Sequence, residues 1–220
     1  VNYHDLTVAL AARGLQVRGG FHPQPPDGVP DVHTGVPAAS VVLIGSGGSA
    51  SWQAFRSAQP SGANPLDRWA RAQVAPLAAE LDARDVYPDD RPFLPFQRWA
   101  RRAEDVHVSP LGLLIHPDYG LWHAYRAALL IPALWDLPVP GQRPSPCDAC
   151  AQKPCLAACP VDSFAAGRFD SEACHAHLGT PQGEDCRDLG CRSRNACPVG
   201  RAHRYGPDQM RFHMRAFHET

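Results

Sequence analysis

The chain has 220 residues, 44% of them apolar, and 21 basic against 22 acidic side chains, for a formal charge of -1. That length buries one substantial core and leaves room for a second, smaller unit. The balanced charge supplies no electrostatic footprint for a nucleic acid or a membrane surface, so neither partner is expected.

The longest apolar runs, Leu111 to Ile115 and Ala127 to Leu134, fall far short of the roughly 20 residues that cross a bilayer. Asp5 and Arg13 interrupt the apolar stretch Leu6 to Ala12, so it does not read as a leader. The expectation is a soluble, cytoplasmic protein with residues missing ahead of Val1.

Tyr3 to Ala12 reads as a short helix with apolar positions at Leu6, Val8 and Leu10, ended by Gly14. Gly19 to Ala39 is dense in Pro and Gly and predicts a surface loop, placed to cover a ligand. Ser40 to Ile44 is a β-branched run that predicts a buried strand. Helical periodicity follows at Ser51 to Ala58 and Leu66 to Leu81, then a short strand near Val86 and a helix over Phe96 to Arg102. Leu111 to His116 and Leu121 to Ile131 read as two strands joined in an antiparallel hairpin by Pro117-Asp118-Tyr119-Gly120. The segment Gly45-Ser46-Gly47-Gly48-Ser49-Ala50 matches a dinucleotide fingerprint, but no acidic residue ends a second strand at the required distance. A tight strand-to-helix turn is the better reading.

Pro138 to Pro146 reads as a linker. It divides the chain into a domain over 1–140, a cysteine-rich domain over 141–205 and a tail over 206–220. All eight cysteines lie between Cys147 and Cys197. Disulfides suit an exported chain, and nothing here points to export. Structural zinc is open to Cys147-x2-Cys150, and eight thiolates could close two tetrahedral sites. The full run Cys147-x2-Cys150-x4-Cys155-x3-Cys159-Pro160 is nearer to the bacterial iron–sulfur pattern C-x2-C-x2-C-x3-C-P.

A second set of four, Cys174, Cys186, Cys191 and Cys197-Pro198, repeats its ending, since Cys159-Pro160-Val161 is echoed by Cys197-Pro198-Val199. Two four-iron, four-sulfur clusters are therefore expected. Closely spaced thiolates wrap one cubane while the remote Cys-Pro thiolate completes the other. That crossover rule assigns Cys147, Cys150, Cys155 and Cys197 to one cluster, and Cys159, Cys174, Cys186 and Cys191 to the other. The spacings depart from the pattern at Cys150 to Cys155 and throughout the second set. His175 or His177 could replace a cysteine there, or simply be solvated.

The words His116-Pro117-Asp118-Tyr119-Gly120-Leu121-Trp122-His123-Ala124-Tyr125-Arg126 and Leu129 to Pro132 resemble a segment of the CblC (MMACHC) cobalamin-processing family. That family implies an α+β, nitroreductase-like N-terminal domain that binds a corrinoid and reductively removes the upper axial ligand of its cobalt. Arg126 would then make a polar contact to the corrinoid or a cosubstrate, with Gln97, Trp99, His116, Tyr119 and Trp122 lining the pocket. Flavin is the other cofactor that the fold class implies. Tyr119 and Trp122 are equally readable as turn and core aromatics, and Arg98, Arg101 and Arg102 as a solvated helix face.

The animal members of that family lack the cysteine-rich module. Phe169-Asp170-Ser171-Glu172-Ala173-Cys174-His175-Ala176-His177-Leu178 is similar to the lone-cysteine segment of epoxyqueuosine reductases and reductive dehalogenases. That group also joins a nitroreductase-like cobalamin domain to a two-cluster, bacterial-ferredoxin-like module.

Together the resemblances imply an oxidoreductase that delivers electrons through iron–sulfur clusters to cobalamin, fed by a reduced flavoprotein or ferredoxin. A ferredoxin-type electron carrier with a docking domain and no catalysis of its own is the alternative. An epoxyqueuosine-type reductase acting on tRNA comes third, because the chain is short and its charge balanced. Arg187, Arg192, Arg194, Arg201 and Arg204 would stabilise the second cluster's charge or form a docking patch for the donor. No residue is marked as catalytic.

Overall fold

The computed structural model describes residues 2–164 and 167–219. In chain order the first elements are α1 (Tyr3–Ala11), β1 (Gln16–Phe21), β2 (Ser40–Gly47), α2 (Ala50–Ala58), α3 (Pro65–Glu80), β3 (Arg84–Val86) and α4 (Phe96–Ala103). Next come β4 (His107–Val108), β5 (Leu114–Ile115), β6 (His123–Ile131) and α5 (Pro154–Ala157). The chain ends with α6 (Ser171–Leu178), α7 (Glu184–Leu189), α8 (Arg192–Ala196) and α9 (Pro207–His218). Two compact units result: Val1–Asp105 with His123–Gln142, and Val106–Trp122 with Arg143–Thr220. Among the described residues no helix is long and apolar enough to cross a membrane.

The first unit is a mixed α/β layer built on a four-stranded antiparallel sheet of order β1-β2-β6-β3. Every residue of β2 is buried, as a continuous apolar run in a central strand requires. Helix α1 starts from a capping box, in which Asn2 Oδ1 accepts from Asp5 N–H and the Asp5 carboxylate accepts from Asn2 N–H, each at 3.0 Å. It buries Leu6 and Leu10. The Gly45–Ala50 segment is a strand-to-helix turn: β2 ends at Gly47 and α2 begins at Ala50. Neither the topology nor the likenesses described below single out a nitroreductase-like arrangement.

Two expectations fail for physical reasons. The Gly-rich start of the predicted loop is β1, with a bulge between Val17 and Gly20. Gly19 sits there at φ +79°, and a Cβ would stand 2.1 Å from the Ala103 carbonyl oxygen. The glycines thus serve a bulge against α4 rather than break the strand. Nor does the predicted hairpin form. β5 pairs with β4, whereas β6 pairs with β2 and β3 in the other unit. An apolar run announces a strand but not its partner.

A second bulge lies in β6, where Ile44 faces Ala127 and Gly45 faces Tyr125, so Arg126 is the extra residue. A Cβ on Gly45 would stand 1.9 Å from the Ala124 carbonyl oxygen. Gly45→Ala is therefore expected to destabilise the first unit by roughly 1–3 kcal/mol, read as a lower urea midpoint with an unchanged slope. An unshifted midpoint would mean that the two strands can separate freely at this point.

The second unit has short elements and little regular structure. His107 faces Ile115 and Val108 faces Leu114 in a two-stranded ribbon. Leu111, Ile115 and Leu121 form a buried cluster with Cys155 and Cys197. The segment 106–122 is thus part of the wall around the cysteines, although the 20 residues His123–Gln142 of the first unit follow it before the chain returns.

Candidate metal centres

Each cysteine is placed by a local device. Cys155 lies in the single turn of α5, and Cys174 sits on α6, whose N-terminus is capped by Asp170 Oδ1 accepting from Ala173 N–H at 3.0 Å. Cys186 is on α7, and Cys191 and Cys197 bracket the five-residue helix α8 as its N-cap and C-cap. Cys159 Sγ accepts from Ser163 N–H at 3.3 Å.

The thiols fall into two sets of four. Burial, and after it the charges of Cys197, Cys155 and Cys150, push the Cys147 thiol up, against a weaker pull from the Ser145 hydroxyl. Cys155 is raised by burial and then by Cys197 and Cys150. Cys174 is pushed up to about 11 by burial, then by Cys191, Cys159 and Cys186. Burial likewise raises Cys191, with the N–H groups of Arg194 and Ser193 pulling the other way and Cys186 and Cys159 adding to the rise. The structure therefore gathers Cys147, Cys150, Cys155 and Cys197 in one place and Cys159, Cys174, Cys186 and Cys191 in another.

The surroundings differ. Leu111, Ile115 and Leu121 wall the first set, with Phe164 and Val199 against them. The second set lines a cleft of about 320 Å³, counted with its opening, together with His177, Ser193, Phe164 and Met214. Phe164 faces both. Among the described residues no three Cys, His, Asp or Glu side chains gather around a single-ion position. Eight thiols in two sets of four, one beside a cleft, are a donor set for iron–sulfur clusters.

The segment 116–122 braces the first set. His116 is 7% exposed, and its Nδ1 accepts from Asp118 N–H at 3.0 Å and Tyr119 N–H at 3.2 Å, closing its own turn. Gly120, at φ +58°, would place a Cβ 2.1 Å from the Val199 carbonyl oxygen, and a Cβ on Gly200 would stand 2.3 Å from the Tyr119 carbonyl. The two backbones thus meet just after Cys197-Pro198. Arg143 holds Asp118 through paired bonds of 2.8 and 2.9 Å, which keeps that carboxyl below its usual range. Trp122 is buried edge-on to Tyr205, under the Arg194 guanidinium at 4.5 Å. Arg194 also donates to the Leu121 carbonyl and ties α8 to this brace.

The other expected pocket residues lie in the first unit. Gln97 is exposed on α4. Trp99 is wholly buried, its indole N–H donating to the Asp27 carbonyl at 2.9 Å. With Arg98 on the Pro26 carbonyl and Arg102 on the Asp27 carboxylate, α4 pins the turn Pro25–Asp27. Arg126 leans toward Asp67 at 3.7 Å. Gln97, Trp99 and Arg126 thus belong to one unit, and His116, Tyr119 and Trp122 to the other. Sequence reasoning missed Ser193 and Tyr205. An isolated serine or tyrosine carries no spacing signal.

No family model matches the chain, and no curated protein matches it. Solved structures do. An epoxyqueuosine reductase with an epoxyqueuosine-modified tRNA-Tyr stem loop is 15% identical at a TM-score of 0.52, over 92% of this chain and 66% of that one. The Bacillus subtilis epoxyqueuosine reductase, with its catalytic aspartate loop swung out of the active site, gives 15%, 0.52, 91% and 66%. The Streptococcus thermophilus enzyme gives 13%, 0.52, 96% and 70%. The chain spans just under two thirds of the length of the first two, and at such identities the likeness is one of fold.

These neighbours overturn the expected CblC-like kinship. The His116 to Arg126 run that carried it is accounted for by turn closure, backbone approach at Gly120 and a β-bulge, none of which needs a corrinoid. Neither cobalamin nor flavin finds support in the site or in the neighbours. The expectation of no nucleic-acid partner is at odds with the stem loop held by one of them. Net charge averages over the whole chain, whereas Gly190 to His218 holds six Arg (192, 194, 201, 204, 211 and 215) and one acid, Asp208.

Proposed function

We propose that the chain is a two-cluster iron–sulfur oxidoreductase of the epoxyqueuosine reductase kind. The observation that carries this reading is the gathering of eight thiols into two sets of four, each completed by a Cys-Pro cysteine from the other run. Cys147, Cys150, Cys155 and Cys197 would hold one cubane, and Cys159, Cys174, Cys186 and Cys191 the other. When bound, the two clusters supply reducing equivalents one electron at a time.

The chain's own residues do the rest. Leu111, Ile115 and Leu121 keep water from the first set, and Arg194 fixes α8, which presents a cysteine at each end. Reduction of an epoxide to an alkene breaks both ring C–O bonds, takes up two electrons and two protons, and releases one water. An external reductant, a reduced flavoprotein or ferredoxin, would replace the electrons. Arg201, Arg204 and Arg215 are exposed and would meet the phosphates of an RNA stem loop, whereas the exposed Arg192 is engaged by Asp185.

Two measurements test this. Anaerobically reduced protein should convert an epoxyqueuosine-bearing tRNA stem loop to a product lighter by one oxygen atom, seen by mass spectrometry. Binding to the same RNA should weaken about fortyfold between 50 and 200 mM salt if these three arginines each neutralise a phosphate. Salt-independent binding together with no mass change would reject the RNA substrate, and rapid electron delivery without turnover would favour a carrier.

A further inference from the structure

The two cysteine sets have unlike polar surroundings. Around the first, the walls are apolar apart from the Ser145 hydroxyl, which accepts from Cys147 N–H at 3.3 Å and favours the Cys147 thiolate. Among the residues that line the cleft of the second, two buried polar atoms have no hydrogen-bond partner, His177 Nε2 and Ser193 Oγ. Both residues line the cleft with Cys159, Cys174, Cys186 and Cys191, and Ser193 has no exposed surface.

Helix α6 sets His177 three residues after Cys174, on the same face. Ser193 is the second residue of α8, just after Cys191. Arg192 lines the cleft too, but its guanidinium is engaged by Asp185 at 2.7 Å. A buried donor without a partner is uncommon and calls for an acceptor in the functional state. Here the acceptors within the cleft are sulfurs.

We propose that the second set is the electron sink of the pair, its cluster made the easier to reduce by hydrogen bonds from His177 Nε2–H and Ser193 Oγ–H. This rests on the iron–sulfur reading above. Such donors stabilise the reduced form, which carries one more negative charge, and so raise the potential. The first cluster, walled by apolar side chains, lies lower. An electron entering there moves on to the second, where it is held.

The test is an electron paramagnetic resonance redox titration of the full-length, anaerobically purified protein and of His177→Phe, His177→Gln and Ser193→Ala. The signal of the second set is identified as the one that Cys186→Ala abolishes. In unsubstituted protein this cluster should reduce first. In His177→Phe its oxidised-to-reduced ratio at a fixed poise should rise about tenfold, a fall of about 59 mV for one electron. The other cluster should not move. His177→Gln, which keeps a donor, should recover most of the shift, and Ser193→Ala should move the same cluster in the same direction.

Unchanged potentials in His177→Phe and Ser193→Ala, with both clusters retained, would overturn the proposal. So would reduction of the first set before the second. If His177→Phe loses the cluster altogether, Ser193→Ala, which removes one oxygen, decides alone. An unsubstituted protein without iron would instead defeat the iron–sulfur reading, and this proposal with it.

Discussion

Cys197→Ala is expected to remove the first cluster and leave the second, lowering the iron content from about eight to about four per chain. The loss should fall on the cluster that Cys147→Ala also removes, although Cys197 belongs by position to the later run. Cys159→Ala should show the converse, erasing the cluster held with Cys174, Cys186 and Cys191 while Cys147, Cys150 and Cys155 keep theirs. The reason is spatial, since Cys147 and Cys155 sense the charge of Cys197, whereas Cys174 and Cys191 sense that of Cys159. Grouping by order along the chain would exchange the two outcomes. Iron and sulfide counts with spin quantitation distinguish them.

Removal of iron is expected to unfold the second unit and spare the first. Helices α5, α7 and α8 have four, six and five residues, too short to hold on their own. The buried contacts of Cys155 and Cys197 with Leu111, Ile115 and Leu121 would form around the proposed ligands, so that metal binding and folding would be one event. After chelation under oxidant, amide exchange in α8 and around Gly120 should speed up at least a hundredfold or so, a loss of about 2.8 kcal/mol or more. Strands β2 and β6, buried in a sheet without cysteines, should keep their protection. Equal loss in both units would show that the sheet depends on the clusters as well.

What the residues disclose follows from how local each signal is. Repetition of Cys-Pro-Val at Cys159 and Cys197 points to two sets of thiols, the grouping in which the structure gathers them, because a repeated short spacing is a local signal. The apolar run at Val41 to Ile44 reveals β2 because burial on both faces demands it. Strand β1 is hidden since Gly19 and Gly20 serve a bulge, and glycine reads first as loop. The membership of 106–122 in the cysteine unit is hidden as well, because a unit built from two separate stretches leaves no mark on either. His116 and Tyr119 resemble ligand-binding residues when seen only as a motif. In space they close and cover a turn that meets the backbone after Cys197. Net charge misled for a related reason, as a total of -1 conceals six arginines and one acid between Gly190 and His218.

The account stands on inorganic clusters bridging thiols that are far apart in the chain, and elemental analysis of protein prepared without oxygen tests this most directly. It predicts about eight irons and about eight acid-labile sulfides per chain, a brown colour bleached by dithionite, and paramagnetism from two reduced clusters. Protein containing about two zinc ions and no labile sulfide, or with its sulfurs joined to each other, would contradict it.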